Sequence, residues 1–395
     1  MQLPIMPSME VSQSPMCFLE SDPTQLDAQL TRWLARHPAM GLLAMLPEAL
    51  KDRLPVLQQA CRARGLPLAG AIFPALIDGA RFRTDGLWLL RLDEQVPAFL
   101  LADLQPDAQP AADRISDAAE ALLSRQNPQA VRPTLFLVFD GLLPHIASVL
   151  DSVYLRLADR VEYAGVNAGS ETFLPMPCLF DQDRVVGNGV LGLFLPGRAA
   201  TTLAHGYPVP EQSMSATSTI GNQILSIDWR PAFEVYQEVV QAAYGVALTR
   251  ENFYQQAVHF PFGIVRANQE VVVRIPVILG DDGALHCVGE VPENAMLVLL
   301  RAPDAPAAQC VGTLVEALAG ARGMPTGGQL MTYYCAGRRM HLGAAAEQEL
   351  AQLQRDSGAA CMAGALSLGE IGSTRAWGYP TFHNASMVCT PWPTT

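Results

Sequence analysis

The spacing of hydrophobic residues along the chain predicts three strand–helix–strand units. Each unit starts with a short apolar run, continues with apolar residues at helical spacing, and ends with a second apolar run that contains Ala-Gly. The first runs are Gly41–Leu46, Thr134–Phe139 and Gln329–Cys335, and the second are Leu66–Ile77, Val161–Val166 and Ala360–Leu366. The repetition suggests internal duplication, although any α/β protein repeats strand, helix and strand.

Short alternating segments separated by turn residues follow the second unit and precede the third, and this pattern is typical of antiparallel hairpins. They are Pro177–Phe180, Arg184–Val186, Gly189–Phe194, Glu270–Ile278, Ala284–Val288 and Ala295–Leu300. Gln25–Ala35 and Ile227–Gly245 have helical spacing. Gln105–Asp113 carries two prolines, which favours a surface loop there.

These elements predict an α/β chain, of mixed α+β character, built from two related halves. Each half is expected to contain mixed parallel and antiparallel sheets flanked by helices. The predicted divisions are an N-terminal lead at residues 1–30, a first domain at 31–227 and a second at 228–395.

Composition narrows the classes of partner. Of 395 residues, 50% are hydrophobic and 16% charged, so a sizeable core is expected. The net charge of −12 opposes binding to nucleic acid or to an anionic membrane surface. The longest apolar stretches fall far short of the roughly 20 residues that span a bilayer. Residues 1–22 lack the basic and apolar regions of a secretory signal, so we expect a cytoplasmic protein.

The numbers and positions of cysteine and lysine argue against further classes of site and of catalysis. The eight cysteines form no CxxC pair, which argues against a zinc finger or an attached c-type haem and favours reduced thiols. Lys51 is the only lysine, and the chain has no GxxxxGK[ST] loop. Lysine-dependent catalysis and phosphate binding by such a loop are therefore not expected.

Several motifs, in their order and spacing, resemble the FIST sensory domain. Those similar to its N-terminal half are Val161–Gly169, His205–Pro210, Gly221–Ile224 and Pro231–Tyr236, and those similar to its C-terminal half are His259–Gly263, Val273-Arg274, Cys335–Arg338, Leu368–Gly372 and Phe382–Asn384. The resemblance covers residues 35–392. The sequence departs from the family pattern at Tyr163–Gly169, where the family often has a fuller glycine pair followed by an acidic residue.

The resemblance implies a non-enzymatic, cytoplasmic ligand sensor that regulates a histidine kinase or another signalling protein. Some stand-alone members of the family are regarded as haem-binding nitric-oxide sensors, so haem is the cofactor that it implies. A small-molecule ligand in a cleft shared by the halves, and association into a homo-oligomer, are also expected.

Five residues are the candidate ligand contacts: Asn167, Arg338, Glu370, His383 and Asn384. The Arg338 guanidinium could pair with a carboxylate of a ligand or with Glu370. Glu370 lies between glycines that allow the backbone close to a site. Buried structural roles are the alternative for each of these residues.

For haem, the candidate iron ligands are His205, His259 and His383, one of which would suffice. Three alternatives to a haem sensor stay open. One is a sensor of an amino-acid-like ligand clamped by Arg338 and Glu370. Another is a cysteine-dependent hydrolase or transferase that uses Cys335 or Cys361 with His383 and Asn384. The third is a structural adaptor without a ligand, whose pocket is filled by its own side chains.

Overall fold

The computed structural model describes residues 14–20, 23–125, 132–195, 201–301, 309–320, 327–373 and 379–392. Its first two repeats have the same order of elements. The first consists of β1 (Met16–Leu19), α1 (Pro23–Leu34), β2 (Gly41–Pro47), α2 (Leu54–Arg62), β3 (Leu68–Phe73), β4 (Leu76–Asp78), β5 (Arg81–Arg83) and β6 (Leu87–Leu92). The second consists of β7 (Ala98–Leu101), α3 (Ala108–Leu123), β8 (Thr134–Asp140), α4 (Ile146–Leu157), β9 (Glu162–Ala168), β10 (Leu179–Asp181), β11 (Val185–Val186) and β12 (Val190–Leu195).

A third repeat follows, but a separate unit interrupts it after its first strand, β13 (Thr202–Ala204). This insertion consists of β14 (Ser213–Ala216), β15 (Ser218–Ile220), β16 (Gln223–Ile227), β17 (Arg230–Pro231), α5 (Ala232–Tyr244), α6 (Phe253–Ala257), β18 (Phe262–Val265), β19 (Val271–Arg274), β20 (Pro276–Leu279), β21 (Leu285–Cys287) and β22 (Ala295–Leu299). The repeat then resumes with α7 (Cys310–Gly320), β23 (Gln329–Cys335), α8 (Ala336–Leu342), α9 (Ala345–Ser357), β24 (Cys361–Ser367), β25 (Glu370–Gly372), β26 (Thr381–His383) and β27 (Met387–Pro391).

Each repeat contributes one parallel strand pair to a six-stranded sheet. The strand orders are β1-β6-β2-β3-β10-β11, β7-β12-β8-β9-β25-β26 and β13-β27-β23-β24-β4-β5. In every sheet the edge hairpin comes from a different repeat from the one that supplies the parallel pair. The hairpins are therefore exchanged in a circle, and the three repeats interlock.

The Ala-Gly dipeptides occupy one position in all three repeats. A Cβ built on Gly70, Gly165 or Gly364 would lie 2.5, 2.2 or 1.6 Å from a carbonyl oxygen of the parallel neighbour strand. Only glycine allows this close backbone approach. The repeated dipeptide thus marks equivalent strands, which is the structural basis of the three-fold pattern in the sequence.

Alternation along the central strands separates two cores. On β8, Leu135, Leu137 and Phe139 pack with helices α3 and α4, whereas Phe136 and Val138 join a core shared by all three sheets. Side chains of a strand point alternately to opposite faces, so each sheet has a helix-covered outer face and an inner face in the shared core. The insertion has its own core around Tyr236 of α5.

The predicted α/β class is confirmed, with mixed sheets flanked by helices. The internal repetition is three-fold. Strands from both sides of residue 228 share sheets. The predicted domain division between residues 227 and 228 stays a prediction. Residues 1–13, 21 and 22 of the predicted lead lie outside the described residues, and its described residues supply β1 and most of α1.

Three local predictions need correction. The run Leu66–Ile77 is divided at Pro74 between β3 and β4, which belong to different sheets. Gln105–Asp113 is not a loop throughout, because α3 begins at Ala108. The segment Gly189–Phe194 pairs with β8 and β7 and forms no hairpin with the strand before it. Within the described residues, no helix is long and apolar enough to cross a membrane.

Candidate functional site

The three repeats can be compared position by position, and the third is the polar one. Each exchanged hairpin has one cross-strand residue pair at the same position. These pairs are Leu76–Arg83, Leu179–Val186 and Glu370–His383. Counting from the shared glycine of each parallel pair, Phe73, Ala168 and Ser367 are also equivalent. A buried carboxyl, imidazole and hydroxyl in the third repeat thus replace residues that are mainly apolar in the other two.

The Glu370 carboxyl is the centre of this polar group and is fully buried. Its Oε1 accepts a hydrogen bond from Ser367 Oγ at 2.6 Å, and its Oε2 accepts one from Ser386 Oγ at 2.7 Å. Burial raises the pKa of Glu370 to about 7, although the Ser367, Ser386 and Cys335 side chains oppose that rise. The carboxyl therefore changes protonation near neutral pH.

Three neighbouring side chains each contain a buried polar atom without a hydrogen-bond partner among the described residues. They are Oδ1 of Asn167, Nδ1 of His383 and Oδ1 of Asn384. The His383 ring is held by a 2.5 Å contact between its Nε2 and Thr381 Oγ1. Burial lowers the pKa of His383 well below its usual value, so the ring is neutral. Unsatisfied buried polar atoms are costly, so a molecule bound beside these three atoms would gain from supplying their hydrogen-bond partners.

A cavity next to this group has a volume of about 50 Å³. Residues of the interlocked repeats line one side, among them Asn384 and Cys335, and residues of the insertion, among them Val258 and Ile275, line the other. A single water needs roughly 10–15 Å³. The cavity therefore fits a molecule of a few non-hydrogen atoms, with Asn384 as a polar contact on a mostly apolar wall.

Arg338 is not available to a ligand. Its Nε and Nη2 donate to the two carboxylate oxygens of Glu349 at 2.8 and 2.6 Å, and both side chains are 2% exposed. Nη1 donates to the carbonyls of His205 and Ala385. The expected pair with Glu370 is therefore wrong: the partner is Glu349 of α9. The clamp of an amino-acid-like ligand between Arg338 and Glu370 is not formed.

The candidate iron ligands do not fit a haem. The Nδ1 of His205 accepts the backbone N–H of Tyr207 at 3.0 Å, and burial lowers the pKa of His205 to about 4. The Nδ1 of His259 lies 2.5 Å from that of His341. Neither ring, nor that of His383, lines the small cavity beside Glu370, and a porphyrin is several times larger than that cavity. None of the three rings lines a described cavity of porphyrin size.

The cysteines do not form a nucleophilic site with His383 in the described structure. Burial raises the pKa of Cys361 to about 12 and that of Cys335 still further, so both are protonated thiols at neutral pH. The thiol of Cys335 donates to Glu370, and the bonded partner of His383 Nε2 is Thr381. A cysteine–histidine pair, which the hydrolase alternative needs, is not present among these contacts.

Sequence reasoning brought Glu370, His383, Asn384 and Asn167 to one place but missed Ser367, Ser386 and Glu349. An alignment of the three repeats would have identified both serines. Ser386 aligns with Gly86 and Gly189. Ser367 aligns with Phe73 and Ala168, as described above. Glu349 carries no such signal, since an exposed position on α9 would have the same sequence pattern.

Comparison with known proteins gives a family assignment. The family model of the FIST N domain matches residues 42–230, and that of the FIST C domain matches residues 232–373. Together the two matches cover most of the chain. No curated protein matches the sequence.

Proposed function

The chain belongs to the FIST family, whose domains are sensory domains of signal transduction, and from that premise we propose a non-catalytic sensor of a small amine or amide. The ligand occupies the cavity beside Glu370. Its bound state is passed to a histidine kinase or another signalling protein. This assignment refines the general sensory role to one site and one class of ligand.

The observation that carries the proposal is the Asn384 side chain. It is 1% exposed, it lines the cavity, and its Oδ1 has no hydrogen-bond partner among the described residues. Its Nδ2 donates to the carbonyl of His383, which fixes Oδ1 as the free atom. A buried amide oxygen without a donor favours a ligand that brings a hydrogen-bond donor, and an N–H group is the donor that we propose.

The walls of the cavity limit the rest of the ligand. Val258, Ile275, Val277 and Met340 are apolar lining residues, so a short aliphatic portion fits beside the N–H group. The Arg338 guanidinium has three donor atoms bonded within the protein, which leaves no strong anchor there for a ligand carboxylate. A small primary amine or amide therefore fits better than an amino acid bound through its carboxylate.

The location of the cavity supports a route by which binding is transmitted to a partner. Phe173 and Asn384 belong to the interlocked repeats, whereas Tyr254 and Val277 belong to the insertion. A ligand between the two units favours the packing in which both sets of contacts are made. A partner that binds the two packings with different affinity reads that shift, and a homo-oligomer would transmit it in the same way.

The test is thermal unfolding of the wild-type protein with a panel of small amines, amides and amino acids, followed by calorimetric titration of the compounds that stabilise it. We expect Asn384→Ala to abolish the stabilisation. Thr84→Ala is the matched control, because Thr84 is the exposed residue at the equivalent position of the first repeat. If Asn384→Ala binds the stabilising compound as well as the wild type does, the proposed site is wrong.

Haem is tested separately by the absorption spectrum of the protein purified from haem-supplied cells. We expect no Soret band, because none of the three candidate histidines lines a described cavity of porphyrin size. A Soret band that shifts with nitric oxide would contradict the small-amine assignment and restore the haem sensor.

A further inference from the structure

A second cleft lies between the start of α4 and the sheet of β18, β19 and β22. Its volume is about 550 Å³, roughly ten times that of the cavity beside Glu370. The polar residues that line it are Ser148, Asp151, Arg266, Asn268, Arg274 and Glu290. A cleft of this size accommodates a metabolite.

Arg274 is a charged side chain held in a buried place, with 2% of its surface exposed. Nε donates to the carbonyl of Glu290 at 2.9 Å, and Nη1 donates to the carbonyls of Val273 and Phe382 at 3.0 and 2.8 Å. Nη2 has no partner among the described residues. The guanidinium is thus positioned by backbone oxygens alone, without a carboxylate within salt-bridge distance in the described part of the chain.

The packing around Arg274 keeps the guanidinium in place. Its Cζ lies 5.5 Å from the centre of the Phe382 ring. Gly289 has a φ of +90°, and a Cβ there would lie 2.8 Å from the Phe382 ring and 3.1 Å from Arg274 Nε. Since the backbone needs glycine at this position, the chain is built closely around a buried cation. Burial lowers the pKa of Arg274 to about 10, so the side chain stays charged at neutral pH.

Arg266 brings a second positive charge to the same cleft. Its guanidinium lies 5.8 Å from the centre of the Tyr379 ring and makes no salt bridge with a described residue. A cation over an aromatic face keeps its charge available to an anion. Two guanidinium groups therefore face one cleft without carboxylate partners.

The acidic residues of the cleft, by contrast, are already bonded. Glu290 accepts the backbone N–H of Ser148 at 3.0 Å, and its other oxygen contacts the Ser148 hydroxyl and, at 3.3 Å, His145 Nδ1. It thereby caps the first turn of α4. Asp151 is hydrogen-bonded to the Tyr379 side chain. The asymmetry between bonded carboxylates and unpaired guanidinium groups favours an anionic ligand.

We propose that this cleft is a binding site for a small carboxylate, with Arg274 and Arg266 as its anchors. The planar guanidinium fork matches a carboxylate geometrically. Asp151 and Glu290 offset much of the positive charge of the two guanidinium groups, so the cleft has little net charge to hold a dianion, which disfavours phosphate. The site is independent of the amine or amide cavity, since the two share no lining residue.

The experiment is thermal unfolding at constant ionic strength with increasing acetate, lactate or phosphate in exchange for chloride. The wild type is expected to show a saturable rise in Tm with a carboxylate and a smaller one with phosphate. Arg274→Gln and Arg266→Gln should each weaken the apparent affinity about tenfold or more. Arg250→Gln is the matched control in the insertion, because Arg250 bonds the carbonyls of Gly280 and Asp281 away from the cleft.

The outcomes separate this site from the proposed sensor cavity. Asn384→Ala should keep the full response to carboxylate, whatever it does to amine or amide binding. If Arg274→Gln does not fold, Arg266→Gln decides, because Arg266 is half-buried and packs through one ring contact. No saturable response in the wild type, or a full response in Arg266→Gln, would overturn the proposal. A stronger response to phosphate than to both carboxylates would overturn the carboxylate assignment.

Discussion

Replacing Glu370 by Gln should remove a pH dependence of stability that the wild type carries. The carboxyl is fully buried, and burial raises its pKa from 4.5 to about 7. A folded-state pKa above the unfolded one means that the native protein binds the proton more tightly. The stability that this proton contributes is complete below about pH 4.5 and is lost as the pH rises through about 7.

The size of the effect follows from the shift. At about 1.36 kcal/mol for each pKa unit, the full loss is about 3 kcal/mol, and about 2.5 kcal/mol of it falls between pH 5 and pH 8. Gln has nearly the same shape and carries no charge. The Ser367 and Ser386 hydroxyls can rotate to accept from its amide, so the local packing is retained.

The assay is urea unfolding of wild type and Glu370→Gln at several pH values from 5 to 8. Other titrating groups cancel in the difference between the two proteins. As the pH rises from 5 to 8, the free energy of unfolding of the variant should increase by about 2.5 kcal/mol relative to that of the wild type. Glu316→Gln, a change at an exposed carboxylate of α7, is the control and should run parallel to wild type. A Glu370→Gln curve that is also parallel to wild type would refute the assignment of a buried acid titrating near neutral pH.

Three further experiments test other parts of the structure. Arg338→Ala should cost about 3–5 kcal/mol in urea unfolding because it strands the buried Glu349 carboxylate, and adding Glu349→Leu should recover part of that loss. Gly364→Ala should lower the free energy of unfolding by more than about 4 kcal/mol or prevent folding, since its Cβ would meet Thr332 O. Gly312→Ala, in open space on α7, is the control and should raise the free energy of unfolding by about 0.5–1 kcal/mol. Soluble yield and the urea midpoint measure both variants. Cys335 should react with iodoacetamide in the native protein more slowly than half-buried Cys17, and mass spectrometry of the labelled peptides reports the order; faster reaction of Cys335 would reopen the hydrolase alternative.

The sequence alone predicts the parallel strand pairs, because the signals for the first strand, the helix and the second strand lie next to one another along the chain. Apolar runs predict β8 and β23, and the helices beside them have clear apolar spacing. The same pattern could not show that β4 leaves the sheet of β3, because the exchange of hairpins is decided by packing between residues about 290 positions apart. The α3 helix was missed for a similar reason: two prolines near its start suggested a loop, yet proline is tolerated in the first turn of a helix.

For the candidate site, residue type and motif order selected four polar residues that lie close together in the structure, but did not identify their partners. Arg338 and Glu349 lie one helix apart, and nothing in the spacing distinguishes that pair from one with Glu370. His259 had an aromatic flank that fits a cofactor pocket, but its partner His341 comes from α8, on the other side of the insertion boundary. Such pairings depend on tertiary geometry, which the sequence pattern alone does not contain.

The most direct test of the sensor assignment is calorimetric titration of the small amine or amide that best stabilises the wild type into three proteins: wild type, Asn384→Ala and Thr84→Ala. The proposed site predicts one binding site per chain in the wild type and in Thr84→Ala, and an affinity at least about tenfold weaker in Asn384→Ala, as expected when a buried hydrogen bond is lost. Equal affinity in all three proteins would contradict a ligand site at Asn384.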